Sequence, residues 1–489
     1  MYAYLLAAHH WTVQVEKISK RLIKKQEEEM PGFRLVICIW SMLLSFVVAS
    51  SGFAKVTQEE AARLGKDLTP LGAIKSGNAE GTIPAWDGGM SVRPAGVPER
   101  KVGEPYADAF ANDKILFTIT AQNYKQYGDK ISSGHQAMFE KYPDFKMNVY
   151  PTHRPVYYTD HLVNKVRTNA IQASLTPDGM GSQGEVGPVP FPIPKNGNEA
   201  ILNPLTFIFL NASTVHARNP SFLVLPSGDI VSQGGANWYA LFPNQVPESS
   251  GNHEFNRMAL IEYIEPVRRK GEILLMLDPK NLAGEDLKIW QYLPGQRRVR
   301  RAPGLTYDTP DPSTGNLGTY DDSYMYWGKI DRYDWELKGR REMYIMYNDY
   351  RVHAGKRTEV LTPHFINPDF ARWELHRVWE VEANLKEGKR HAYARRVFYI
   401  DEDSWSIVHT DRYDSHDKLW RFMDRSIYWA YDKLDILGGI WLYHDLTQDC
   451  YAANNCSVEN DYGPARINPD EEIVEEMFTP EYLRRLGRR

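Results

Sequence analysis

Cysteine is almost missing from this chain: Cys38, Cys450 and Cys456 are the only three in 489 residues. No Cys/His group has the spacing of a zinc site, so no metal is expected. There is no excess of positive charge either. Lys and Arg number 58 against 63 Asp and Glu, for a net charge of −5. That balance argues against nucleic acid as the main partner. The longest apolar run, Leu35 to Val48, is too short for an ordinary transmembrane helix. The Gly-x-Ser-x-Gly elbow, the His-Glu-x-x-His zinc helix and the Gly-x-x-x-x-Gly-Lys-Ser/Thr phosphate loop are all absent. No catalytic residue and no cofactor is assigned on these grounds. No repeat of fixed period and no low-complexity linker divides the chain.

The N-terminus carries the order of a secretory signal. Met30-Pro31-Gly32-Phe33-Arg34 is a short basic start, Leu35 to Val48 is the apolar core, and Ser50 to Ala54 supplies small residues before a cut at Lys55. Glu27-Glu28-Glu29 stands directly before this segment, and a signal buried that far inside a chain is odd, so Met30 is the expected start. Ile37 precedes Cys38 where a lipoprotein signal needs a small residue, so a secreted protein without a lipid anchor is expected. In an oxidising compartment Cys450 and Cys456, which flank a turn-like Tyr451–Asn455, are expected to form a local disulfide. Such a bridge would pin a C-terminal loop and is too local to organise the core.

Thr57-Gln58-Glu59-Glu60 is a capping box that opens a short helix. Leu68 to Gly89 is dense in Gly, Pro and Asn, which forbids a long helix or a central strand, so an extended arm is expected, anchored by Trp86. Helices are expected near Ala121–Tyr127 and Gly134–Tyr142. The alternating prolines of Pro188 to Gly197 favour polyproline II and mark a boundary. Beyond it β signals recur at Thr206–Leu210, Phe222–Leu225, Ile230–Gln233, Ile273–Leu277, Lys288–Leu293, Glu342–Tyr347, Glu374–Asn384, Tyr393–Ile400, Ser406–Tyr413, Trp420–Tyr431 and Gly439–Leu446. Short turns join many of them, so neighbours must be antiparallel. The fold class is mainly β with some α: one long antiparallel sheet, N-terminal helices and an extended arm.

Strand alternation separates two faces over Arg372–Ala383. Arg372, Glu374, His376, Val378, Glu380 and Glu382 point one way, expected to be mostly solvated. Trp373, Leu375, Arg377, Trp379, Val381 and Ala383 point the other way and are almost wholly apolar, as a sheet curled around a core or greasy cavity requires. Trp290, Tyr292, Trp373, Trp379 and Phe398 are therefore the candidate ligand-lining residues. The hairpin Ile289–Arg301 turns at Pro294-Gly295 and returns through Arg297, Arg298, Arg300 and Arg301, which are expected at a rim. One pair would face an anionic headgroup or partner, and the other would bridge to Asp321 or Asp322. The carboxylates Asp401 and Asp403 read as a solvated tight turn. His153, held between prolines, reads as a loop-packing histidine.

The aromatic strand, Leu293-Pro294 corner and arginine-rich return strand resemble the LolA-like lipoprotein-sorting and lipid-carrier proteins. Longer segments are similar to domain-of-unknown-function family 1329. They are Leu68–Gly89, Lys141-Tyr142-Pro143 with Tyr150–Arg154, Pro192–Ala200, Tyr292–Arg301, Asp331–Trp335 and Asn367–Glu374. Leu202-Asn203-Pro204-Leu205 departs from that family's usual Trp-Asn run. The resemblance implies a periplasmic protein of Gram-negative bacteria with a LolA/LolB-like half-barrel. It also implies work beside a resistance-nodulation-division type transporter and an outer-membrane β-barrel. It supplies no catalytic residues.

The expected organisation is 1–29 before the true start, 30–54 signal, 55–195 N-terminal cover, 196–449 half-barrel body and 450–489 C-terminal loop and tail. The expected function is a periplasmic carrier of a hydrophobic or lipid-like molecule, with peripheral membrane association. The alternatives are an enzyme acting on a hydrophobic ester or polymer through His153, Asp321 and Asp322, or a structural partner of an envelope complex.

Overall fold

The computed structural model describes residues 56–486, apart from 247, 248, 250, 252, 281–284, 303–306, 460, 461, 470 and 471. The expected signal at 30–54 and the expected start at Met30 lie outside the described residues. Residues 55–489 form one compact unit. Among the described residues no helix is long and apolar enough to cross a membrane.

One 16-stranded sheet dominates. Its strands are β1 (Phe117–Thr120), β2 (Lys146–Val149), β3 (Thr214–Val224), β4 (Ile230–Leu241), β5 (Phe255–Glu265), β6 (Ile273–Pro279), β7 (Lys288–Leu293) and β8 (Arg298–Arg301). They continue with β9 (Tyr333–Met346), β10 (Trp373–Leu385), β11 (Arg395–Asp401), β12 (Ile407–Tyr413), β13 (Leu419–Ala430), β14 (Asp435–Asp445), β15 (Cys450–Asn454) and β16 (Arg466–Ile467). The spatial order is β1-β2-β10-β11-β12-β13-β14-β15-β3-β4-β5-β6-β7-β8, with β9 also on β10 and β16 on β3. Pairing is antiparallel throughout except for one parallel contact of β2 with β10. The path is open, ending in β1 and β8. This is the mainly β, antiparallel class that the recurring short turns predict.

The strands bury both faces. On one face Met423, Trp441, Tyr443, Phe398 and Trp238 join a large core. On the other, Phe422, Ile440, Leu442 and Tyr451 pack beneath the helix Ser133–Lys141 and its neighbours. The expected solvated face of β10 is covered as well. Arg372, Glu374 and His376 are buried because the N-terminal segment lies over them. Arg372 donates to Glu374 at 2.5 Å and to Asp113 at 2.6 Å, while the His153 amide donates to Glu374 at 2.9 Å. A polar stripe therefore marks a polar interface here and not solvent.

Two local expectations fail for identifiable reasons. Thr206–Leu210 is not a strand. Residues 197–206 form a helix whose N-cap Asn196 accepts from the Glu199 amide, with the Glu199 carboxylate accepting from the Lys195 amide. Pro204 inside that helix hides it from a pattern reading. Cys450 and Cys456 are separate buried thiols and not a disulfide. The segment between them is strand β15, paired on both sides with β14 and β3. Extended backbone carries six residues over roughly 20 Å, whereas a disulfide needs Cα atoms within about 7 Å.

Candidate functional site

Between β8 and β9 the chain leaves the sheet and returns across its inner face. Two short turns of 3-10 helix shape this insert, Pro312–Thr314 and Tyr320–Met325. Asp311 caps the first turn through the Ser313 amide, and Thr319 with Asp322 forms a capping box on the second. Asp321 and Asp322 then dock on arginines of the inner sheet face. Arg396 donates to Asp321 at 3.0 and 3.2 Å and to Asp322 at 2.5 Å, and Arg412 stands 3.2 Å from Asp322. His391 Nε2 lies 3.0 Å from Asp321. Burial alone would raise the Asp321 carboxyl, but Arg396 and His391 outweigh it and hold it well below the usual range. Its partners are thus Arg396 and His391, and those of Asp322 are Arg396 and Arg412. The expected bridge to Arg300 or Arg301 does not form.

The insert fills part of the concave side and leaves a cavity of ≈150 Å³ between itself, β4–β6 and β14. Its apolar walls are Trp238, Ile261, Met276, Tyr324, Trp327 and Trp441. Tyr324 and Met325 both hold left-handed backbone, with φ of 53° and 75°. That turn places Tyr324 edge-on against Trp441 at 4.9 Å and against Trp327 at 5.5 Å. Arg257 adds a charge to the wall. Its Nε is 2.5 Å from buried Asp278, and its guanidinium lies 4.5 Å from the Trp327 ring and 4.9 Å from Tyr324. Burial pushes the Asp278 carboxyl up, with Arg257 opposing. The arrangement suits an apolar ligand body with a few fixed polar contacts. Among the described residues that line it, no hydroxyl or thiol nucleophile stands beside a histidine base.

Residues 118–484 match the family described as "Protein of unknown function (DUF1329)". The chain belongs to the DUF1329 family. It is 37% identical over 448 residues to "Uncharacterized protein PA3922" of Pseudomonas aeruginosa, covering 87% of this chain and 96% of that relative. Among solved structures it is similar to a DUF1329 family protein from Desulfovibrio piger, with 14% identity and a TM-score of 0.37. That match covers 56% of this chain and 92% of the other. A putative outer membrane lipoprotein-sorting protein domain from Vibrio parahaemolyticus gives the same four values. The LolA superfamily protein NE2245 from Nitrosomonas europaea matches at 11% identity and TM-score 0.31, over 58% and 98% of the two chains.

In this DUF1329 chain the five aromatic residues expected to line one ligand site are not together. Trp290 and Tyr292 pack in the cluster that includes Phe478 and Leu483 near the C-terminus. Trp373 belongs to the outer layer. Trp379 and Phe398 sit in the inner core, Trp379 stacked on Trp405 at 5.9 Å and Phe398 edge-to-face with Tyr326 at 5.5 Å. None of the five lines the cavity. The residues that do were present in the sequence as the aromatic run Tyr324–Trp327 and as isolated tryptophans on separate strands. Only the strand register joins them.

Arg297, Arg298, Arg300 and Arg301 are all exposed on the edge hairpin. Arg297 occupies the turn in left-handed backbone, and Arg300 donates to Gln291 across the ladder at 2.9 Å. Conversely, the Asp401–Asp403 turn is buried and not solvated. Arg154 clasps Asp403 at 2.8 and 2.7 Å, Glu402 accepts from the Ile74 amide, and the Trp405 indole donates to the Leu71 carbonyl. The turn is the anchor of the N-terminal arm. His153 faces Asp113 at 2.8 Å and stacks on Phe110 at 4.0 Å.

Among the described residues two buried groups have metal-ligand composition: His135, His409 and Asp424, and His376, Asp401 and Asp403. In the first, His409 bridges Asp424 at 2.7 Å and Asp411 at 2.8 Å, and His135 meets Asp424 at 3.0 Å. Burial disfavours an imidazolium at His409, but the two flanking carboxylates outweigh it and push the group up to about 9. Protons shared between imidazole and carboxylate account for this cluster.

Proposed function

We propose that the protein binds and carries a hydrophobic molecule in the periplasm, holding the ligand's apolar body in the cavity beneath the 307–330 insert. The supporting observation is the aromatic-walled space between Tyr324, Trp327, Trp441 and Trp238 on the inner sheet face. Its volume, ≈150 Å³, resembles that of an engineered apolar cavity that takes up benzene. It suits a single ring or the end of a chain, with the remainder of a longer lipid-like molecule projecting through the mouth. The secretory pattern at 30–54 supports the compartment. The exposed Arg297–Arg301 edge would meet anionic headgroups or an envelope partner, and the family resemblance points to a resistance-nodulation-division type transporter and an outer-membrane β-barrel as that machinery.

The test is to purify the chain from periplasm, extract it for lipid mass spectrometry, and titrate it with the neutral fluorophore N-phenyl-1-naphthylamine. A co-purifying hydrophobic molecule and saturable probe binding are expected. No extractable ligand together with no probe binding would contradict the reading.

A further inference from the structure

We propose that the cavity selects a cationic ligand, a primary ammonium group on a short apolar body. Asp311 and Glu265 receive the ammonium at the polar end of the cavity, and the tryptophans hold the body. This rests on the cavity reading above and specifies its ligand.

Strand register makes the cavity two-ended. At one end Ser221 of β3 pairs with Gly234 of β4, and Gly235 pairs with Glu265, the last residue of β5. At the other end Trp238 pairs with Ile261, which in turn pairs with Leu274 of β6. All of these residues line the space. The insert follows the same division. Asn454 donates to Ser221 at 3.1 Å and to Ser313 at 3.0 Å, and the Ser313 hydroxyl donates to Asp311 at 2.8 Å. That chain of hydrogen bonds ties Asp311 to the Ser221 end. Tyr324 instead stands 6.2 Å from Trp238 and packs against Trp441 and Trp327. One end is acidic and the other aromatic.

Charge decides the sign of the ligand. The charged residues of the lining are Arg257, Arg269, Asp311 and Glu265. Both arginines are neutralised from behind the wall. Arg257 pairs with Asp278 at 2.5 Å. Arg269 pairs with Glu272 at 2.8 and 3.1 Å and lies 3.5 Å over the Tyr263 ring. Neither Asp278 nor Glu272 lines the space. The two carboxylates of the lining have no such match, for among the described residues no Lys or Arg forms an ion pair with Asp311 or Glu265. Asp311 Oδ1 accepts from the Ser313 amide and hydroxyl, while Oδ2 has no donor. Burial raises the Asp311 carboxyl, with Ser313 opposing, as it should for an acid without a counter-charge. Glu265 is exposed, which puts this end at the mouth. A primary ammonium brings three donors and the missing positive charge to these oxygens. Its apolar body then extends inward between Trp238, Tyr324 and Trp441.

The experiment compares phenethylamine, phenethyl alcohol and hydrocinnamate on the full chain by calorimetry at pH 7 and low salt. The amine is expected to bind at least about tenfold more tightly than the alcohol, the size of one charge-assisted contact. The acid, which brings a like charge to the carboxylates, is expected to bind more weakly than either. Asp311→Asn keeps the oxygen that caps the turn and is expected to erase most of the amine's advantage while alcohol binding persists. Equal binding of amine and alcohol by the wild type, a preference for the acid, or an advantage that survives Asp311→Asn would overturn the inference. Phosphoethanolamine, a lipid headgroup without an apolar body, is not expected to displace the amine. Displacement by it would make this a headgroup site and overturn the assignment. Alcohol binding without a charge preference would leave the cavity reading standing, whereas binding of none of the three would remove both. Should Asp311→Asn not fold, carbodiimide coupling of phenethylamine to the wild type decides. The new amide is expected at Asp311 or Glu265 by peptide mass mapping, and coupling only elsewhere, or none, would overturn the proposal.

Discussion

Arg396 and Asp321 are 75 residues apart in the chain and meet at 3.0 Å across the concave face of the sheet. Both are buried, and the pair fixes the insert that forms one wall of the cavity. Removing one member strands the other charge in the interior. We expect Arg396→Met to lower stability by about 3–5 kcal/mol, measured by urea unfolding. The double variant Arg396→Met/Asp321→Leu should recover part of that loss. An unchanged midpoint in the single variant would show that the insert is held by other contacts.

The buried Asp403 carboxylate is the counterpart of Arg154, and beside it the Ile74 amide donates to Glu402 and the Trp405 indole to the Leu71 carbonyl. Asp403→Asn should loosen the arm before the sheet. Limited proteolysis is expected to cut within residues 68–89 at a protease level that leaves the wild type whole. Cleavage confined to the C-terminal end would contradict this anchoring role.

His409 gives a signed pH dependence. Its folded pKa of about 9 exceeds the ordinary value of 6.5. A raised folded pKa means that its stabilisation is complete below about 6.5 and is lost as pH climbs through about 9. The stability difference between wild type and His409→Gln should therefore shrink between pH 6 and pH 9.5, by up to about 3 kcal/mol. A difference independent of pH would mean that His409 is neutral between its two carboxylates.

Cys450 and Cys456 are buried thiols whose ionisation burial pushes up to about 11. Without reductant, the folded protein should react slowly with iodoacetamide, and the unfolded protein should expose both thiols to it. A mass two daltons lower with no alkylation after unfolding would instead reveal a bridge.

Much of the fold was legible because short turns such as Lys386–Lys389 and Pro226–Asp229 force neighbouring strands to be antiparallel. The strand ranges from Glu374 to Leu446 follow from β-forming runs bounded by such turns. What alternation cannot show is which layer covers a face. Arg372 and Glu374 look like solvent-facing residues until Asp113 and His153 arrive from far away in the chain to meet them. The Asp401–Asp403 turn misleads in the same way, since the partner that buries it is Arg154. The cavity was illegible for a related reason. Trp238, Tyr324 and Trp441 converge only through the order in which β15 joins β3 and the sheet curls, and that order places distant segments side by side. Tyr324 and Met325 in left-handed backbone are a further local feature that no residue preference announces.

The central claim is that the space between the insert and the sheet receives a ligand. The most direct measurement is binding of a neutral hydrophobic probe to Ala236→Trp, in which an indole replaces a methyl group on the cavity wall. We expect the variant to melt cooperatively and to lose probe binding by at least about tenfold, because the added ring occupies the ligand's volume. A folded Ala236→Trp protein that binds the probe as tightly as the wild type would contradict the account.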